Sequence, residues 1–217
     1  RALAAANSDS IVALLEHIDS TEAKTALHQL LQEASVDLTP FYVGHLNSDV
    51  EEEIISGLQA LGEMGTPEAL KAILSTLGHT LTTVRRAALQ ALGGHYDPEA
   101  RMAIGRALKD PSGENRMLAI DILARSGDTR VAWLLLNAIQ SASFLDKPAA
   151  EQSALFSALG SFQDSRTLDF FKSVLTAGNL MKKQALTDRQ LQAAAALAQI
   201  GTPEAITALK ACRSKWG

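Results

Sequence analysis

The 217-residue sequence has one cysteine, Cys212, which excludes an internal disulfide and a cysteine-based zinc cluster. No apolar run approaches about 18 residues, so nothing in it reads as a membrane span. A basic excess is missing too. Twenty Lys and Arg face 24 Asp and Glu, a formal charge of −4, which rules out a generally basic nucleic-acid binder but not a local basic patch. Aromatic residues make up only 5%. Absent as well are the Gly-x-Ser-x-Gly elbow, the phosphate-binding Gly-x-x-x-x-Gly-Lys loop, the dinucleotide Gly-x-Gly-x-x-Gly and the metal-binding His-Glu-x-x-His. No useful strand-period alternation and no low-complexity linker is present. What remains is an ordinary globular composition, 47% hydrophobic and 20% charged. A chain of this length buries roughly 70% of its unfolded surface without a staple. It begins on Arg1 rather than Met, so the expectation is a fragment of a longer chain.

What is present is a repeat. Ala60-Leu61-Gly62, Ala91-Leu92-Gly93, Ile122-Leu123-Ala124, Ala158-Leu159-Gly160 and Ala196-Leu197-Ala198 align, with the shared leucine stepping by 31, 31, 36 and 38 residues. Each unit reads as two helices. In the first, small and apolar residues fall three and four apart, as at Val84, Ala87, Ala88, Ala91 and Leu92. Alanine favours the helix and lets neighbours approach closely. A glycine or polar run ends it. Thr66, Asp97, Asp128, Asp164 and Thr202 then stand where a side-chain oxygen would cap the second helix, with Pro67, Pro98 and Pro203 at the first helical position. The second helix carries its stripe at, for example, Ala69, Leu70, Ile73, Leu74 and Leu77. Neither helix can be buried within one unit, so successive units must stack.

The pattern fades towards the N-terminus. Residues 8–18 and 20–33 read as helices, 40–46 as a short second helix, and Asn47-Ser48-Asp49 as the cap of a helix running to about Leu61. The expected fold is all-α, an α-α superhelix of stacked antiparallel helix pairs. It forms one continuous solenoid over residues 1–217, degenerate in 1–46 and regular in 47–217.

The run Val84-Arg85-Arg86-Ala87-Ala88-Leu89-Gln90-Ala91-Leu92-Gly93 and the Gly-Thr/Asp-Pro-Glu-Ala turns resemble the HEAT repeat family. The likeness is to its short bacterial form, the phycobilisome-lyase-type HEAT-like repeat, and covers about residues 47–217. The resemblance implies an interaction scaffold first. A minority of such proteins attach chromophores or act in DNA repair, but fold analogy is only an associational warrant.

Candidate chemistry is thin. His17, His28, His45, His79 and His95 are scattered, none with a second His or Cys three or four positions away. Cys212 occupies the column of Thr76, Ala107, Ala138 and Val174, where a small buried residue is expected. Glu51, Glu52 and Glu53 point around a helix at about 100° steps and suit its first turn rather than a ligand. No metal, cofactor or catalytic set is expected, and the reading is a non-enzymatic protein. A bilin-lyase-like enzyme or accessory subunit is the alternative. It would need convergent His, Asp and aromatic residues, and only Trp133 and Tyr96 offer themselves. A DNA-binding HEAT protein is a weaker third, since it needs a basic, aromatic-rich trough.

In HEAT solenoids the second helices line the concave wall. Five positions after each cap stand Lys71, Met102, Trp133, Asp169 and Thr207; nine positions after it stand Ser75, Arg106, Asn137, Ser173 and Ala211. These share a helix face. The candidate partner-binding set is therefore Trp133, Met102, Arg106 and Asn137, with Lys172 beside them. Trp133 is expected to be exposed because its column is otherwise polar or flexible, and Trp and Arg dominate interface hot spots. The two longer steps place extra residues around 141–148 and 177–183, both on one edge, so Phe144, Leu180 and Met181 join the set.

Charge is divided along the chain. Residues 1–80 hold three basic against twelve acidic residues, net −9; residues 81–217 hold seventeen against twelve, net +5. The expected partner is another protein, steered electrostatically, with head-to-tail self-association the second option. Nucleic acid and membrane are not expected, and the cytoplasm is the default compartment.

Overall fold

The computed structural model describes residues 18, 26, 37–95, 97–177 and 188–216. The helices expected over 8–18 and 20–33, as well as Tyr96, Leu180 and Met181, lie outside them. The described residues form eleven α-helices and no strand. They are α1 Thr39–His45, α2 Glu51–Met64, α3 Pro67–Thr76, α4 Thr82–Leu92, α5 Pro98–Arg106, α6 Gly113–Arg125, α7 Ala132–Gln140, α8 Ala149–Gly160, α9 Ser165–Thr176, α10 Asp188–Ile200 and α11 Pro203–Trp216. Short 3₁₀ turns run over Ala107–Lys109, Thr129–Val131 and Ala142–Phe144. The chain packs as two compact units, residues 1–94 and 95–217. Each is a stack of helix pairs, the α-solenoid architecture.

Within the first unit, α2 packs along α4, and both contact α3. In the second, α6, α8 and α10 pack in succession, while α9 and α11 lean on α10. The five repeated leucines are the pins of these stacks: Leu61, Leu92, Leu123, Leu159 and Leu197 are each at most 1% exposed. Ala87, Ala88 and Val84 are buried beside Leu92, as their spacing requires.

The caps form where the sequence places them. Thr66 Oγ1 accepts the Ala69 N–H at 3.1 Å, Asp97 those of Glu99 and Ala100 at 2.7 and 3.4 Å, and Asp128 that of Arg130 at 3.0 Å. Asp164 accepts the Arg166 N–H at 2.8 Å and Thr202 that of Ala205 at 3.3 Å. Gly65, Gly127 and Gly201, one residue before Thr66, Asp128 and Thr202, have φ near +60°, a left-handed bend that a side chain would strain. One expected cap is displaced. Helix α2 starts at Glu51 after an extended Val50 with no capping side chain, and runs on to Met64. Ser48 instead accepts the Val50 N–H at 3.0 Å and donates to Glu53 at 2.5 Å.

A second device repeats between the pairs. Seven residues before the repeated leucine stands a long donor that reaches back to the carbonyls ending the previous pair. Arg85 donates to His79 and Thr80 at 2.9 and 3.0 Å, and Arg116 to Asp110 and Pro111 at 2.9 and 3.1 Å. Gln152 donates to Leu145 and Lys147 at 3.4 and 2.8 Å, and Gln190 to Leu175 and Ala177 at 3.4 and 3.2 Å. All but Leu175 lie in the turn after the last helical residue, where no helix ladder supplies a donor, so each pair is closed by the next.

Arg116 carries a further load. Its Nε lies 2.9 and 3.0 Å from the two oxygens of Glu151, which is 3% exposed, and Lys147 approaches the same carboxylate at 2.5 Å. Burial raises the Glu151 carboxyl, but the hydrogen bonds and charges of Arg116 and Lys147 outweigh it and hold the group below its ordinary range.

Phe144 does not belong to a binding edge. The inserted segment turns it inward, 1% exposed, with its ring 5.9 Å from Phe156 and the Arg189 guanidinium 5.5 Å from its centroid. Phe156 in turn meets Phe170 and Phe171 at 6.1 and 5.8 Å. The loop thus sets an aromatic side chain against Phe156 of α8. Its neighbour Leu145, 71% exposed, is the residue left outside.

Candidate interaction face

The second helices of the second unit, α5, α7, α9 and α11, turn one stripe inward and the opposite one to solvent. On α5, Ala100, Ala103 and Ile104 are buried, while Met102 is 44% exposed and Arg106 is exposed. On α7, Ala132, Leu135 and Ile139 are buried, while Trp133 is 38% exposed and Asn137 is exposed. Asp169 and Ser173 on α9, and Thr207 and Ala211 on α11, continue the pattern. Every member of the two columns within this unit therefore faces out, as their polarity implies. In the first unit, Lys71 and Ser75 of α3 are exposed as well.

Helices α5 and α7 meet at a glycine. A Cβ on Gly105 would stand 2.8 Å from both Cδ atoms of Leu134. The tip of the Leu134 side chain therefore lies over Gly105, so α5 and α7 touch there. Arg106 follows Gly105 and Trp133 precedes Leu134, so the exposed residues flanking this contact come from both helices. At the helix start Arg101 holds Asp128 at 2.8 Å, and Arg130 binds the same carboxylate at 2.9 Å. Hydrogen bonding from the Arg130 side chain, against the cost of burial and with help from its backbone N–H and the Arg101 charge, keeps Asp128 below its ordinary range. Asp164 is lowered in the same way by Arg166.

On α5 and α7 the polar groups of the face are unspent. Among the described residues, neither the Trp133 indole, the Asn137 carboxamide nor the Arg106 guanidinium has a hydrogen-bond or charge partner within the chain. Lys172 is different: half-exposed, it lies 3.7 Å from Asp169 on its own helix.

Other features carry less. Glu51, Glu52 and Glu53 occupy the first turn of α2, where Glu51 accepts from Thr83 and Glu53 from Ser48, so they diverge. No group of three His, Cys, Asp or Glu among the described residues could hold a metal ion. Cys212 is half-buried, its sulfur 4.0 Å from the Leu175 carbonyl. No helix among the described residues is long and apolar enough to cross a membrane. Sequence reasoning overlooked Met117 and Leu191, 39% and 51% exposed. Both stand six residues before the repeated leucine, an offset that would have shown them to share one outward position.

Residues 74–155 match the family of HEAT repeats, and residues 190–214 match the PBS lyase HEAT-like repeat. No curated protein matches the chain significantly. Among solved structures, human deoxyhypusine hydroxylase in complex with glycerol aligns over 96% of this chain and 90% of its own, with 16% identity and a TM-score of 0.44. That likeness is too loose to bear on activity.

Proposed function

Because this chain is a HEAT-repeat protein, we propose that it is a non-enzymatic scaffold that holds another protein on the outward face of α5 and α7. The observation that supports this reading is Trp133. It is a large aromatic residue, 38% exposed in a column whose other members are also exposed, and its indole N–H has no partner among the described residues. Burying such a ring against a partner removes extensive apolar surface from water and satisfies a donor at once, which is why tryptophan anchors interfaces. Met102, one repeat earlier at the same position, adds a flexible apolar surface that adapts to what it meets. Leu145, on the loop that Phe144 anchors, is the remaining candidate on the loop edge.

The test pairs two measurements on Trp133→Ala. Partner retention on the immobilised full chain should weaken by about 2 kcal/mol or more. The urea midpoint should move little, because most of what is lost was not core. A loss of about 3–5 kcal/mol from folding, with retention unchanged, would return the side chain to the core and end the proposal.

A further inference from the structure

Resting on that reading of the face, we infer that its occupant is a short extended peptide segment bearing a carboxylate, laid across α5 and α7. The inference comes from which groups are left unpaired. In the second unit the other described arginine side chains all have partners. Arg101 and Arg130 bind Asp128, Arg116 binds Glu151, Arg125 binds Asp121, Arg166 binds Asp164, and Arg189 sits on the Phe144 ring. Among the described arginines of that unit, Arg106 is the one that faces solvent with its charge and five donors unmatched. A planar guanidinium fork is the complement of a carboxylate, which it holds through two parallel hydrogen bonds.

Asn137 determines the backbone of the occupant. Its carboxamide offers a donor and an acceptor side by side, the complement of one peptide unit's carbonyl and N–H. An extended segment has those groups free, whereas a helix has spent them on itself. Trp133, one turn before Asn137, supplies a flat surface for an apolar side chain of the same segment. The reach fits. Packed helices lie about 8–10 Å apart, a gap that about three residues of extended chain cross. The recognised element is thus an apolar residue with an Asp or Glu two to four positions away.

The probe is a phage-displayed library of random twelve-residue peptides selected on the full chain, followed by fluorescein-labelled synthesis of the enriched sequence. Enrichment of Asp or Glu two to four positions from an apolar residue is expected. Arg106→Gln should weaken the labelled peptide tenfold or more, and affinity should fall as salt rises. Asn137→Ala, and N-methylation of a backbone amide within the segment, should each weaken it fivefold or more. The peptide should gain no helical circular dichroism on binding. If Trp133→Ala abolishes binding while Arg106→Gln leaves it intact, or if the enriched peptides are neutral, basic or helical when bound, this inference fails and the face stands. If no peptide enriches, or Trp133→Ala changes nothing while the variant keeps its unfolding midpoint, the inference and the proposed face fail together.

Discussion

Gly62 and Ala91 meet backbone to backbone: a Cβ on Gly62 would stand 3.0 Å from the Ala91 Cβ and 3.1 Å from its Cα. Gly160 and Ala196 repeat the contact at 3.0 and 3.1 Å, one residue after and one before their repeated leucines. The Ala-Leu-Gly signature is therefore a steric device that sets the spacing of α2 on α4 and of α8 on α10. Gly62→Val or Gly160→Val should force the helices apart and cost about 1–3 kcal/mol in urea unfolding. Gly94→Ala, where an added Cβ meets nothing within 4 Å, is the control and should be neutral or slightly stabilising.

Asp97→Ala removes a cap that serves two N–H groups, and should lower stability by about 0.5–2 kcal/mol. Asp128→Ala should lower the urea midpoint further, because that carboxylate also binds Arg101 and Arg130. Equal midpoints for the two variants would show that the ion pairs add nothing.

Stability should fall on acidification. Asp128, Glu151 and Asp164 have their carboxyl groups lowered from reference values of 3.8, 4.5 and 3.8. A carboxylate lowered by folding contributes fully above its unfolded value and loses that contribution as pH drops through its folded value. Unfolding free energy should thus be insensitive to these groups from pH 7 to about 5, then decline as pH falls below about 4.5. Glu151→Gln should be about 1–3 kcal/mol less stable at pH 7 and show a shallower acid limb. An unchanged limb would mean the Arg116 and Lys147 pairing is not felt.

Adjacent residues on the inserted loop should behave oppositely. Phe144→Ala should cost about 3–5 kcal/mol through the cavity it opens beside Phe156. Leu145→Ala, at a position 71% exposed, should stay within about 0.5 kcal/mol, as thermal unfolding of both variants will show.

The repeat, its caps and the outward columns were legible because each rests on a fixed spacing that helix geometry enforces. Met102 and Trp133 face out for the same reason that Ile104 and Leu135 face in. Periodicity stops at the loops. Nothing in it could tell which of Phe144 and Leu145 would turn inward, since Phe144 packs on Phe156, a residue twelve positions on. It was also blind to the isolation of Arg106. Asp110, four residues on, should pair with it on an ideal helix, as Asp121 does with Arg125. The chain instead tightens into a 3₁₀ turn at Ala107–Lys109, and Asp110 turns to accept the Ser112 N–H at 2.8 Å.

The donors at Arg85, Arg116, Gln152 and Gln190 explain how such a chain can lengthen. Each is counted from the leucine that follows it, not from the loop before it, so residues added to the loop leave its place on the helix unaltered. The carbonyls it reaches lie five and six residues back for Arg85 and Arg116, five and seven for Gln152, and thirteen and fifteen for Gln190. Insertion is absorbed by choosing a different acceptor while the helices keep their register. New loop sequence can therefore be tried at these edges, generation after generation, without the stack having to be rebuilt around it.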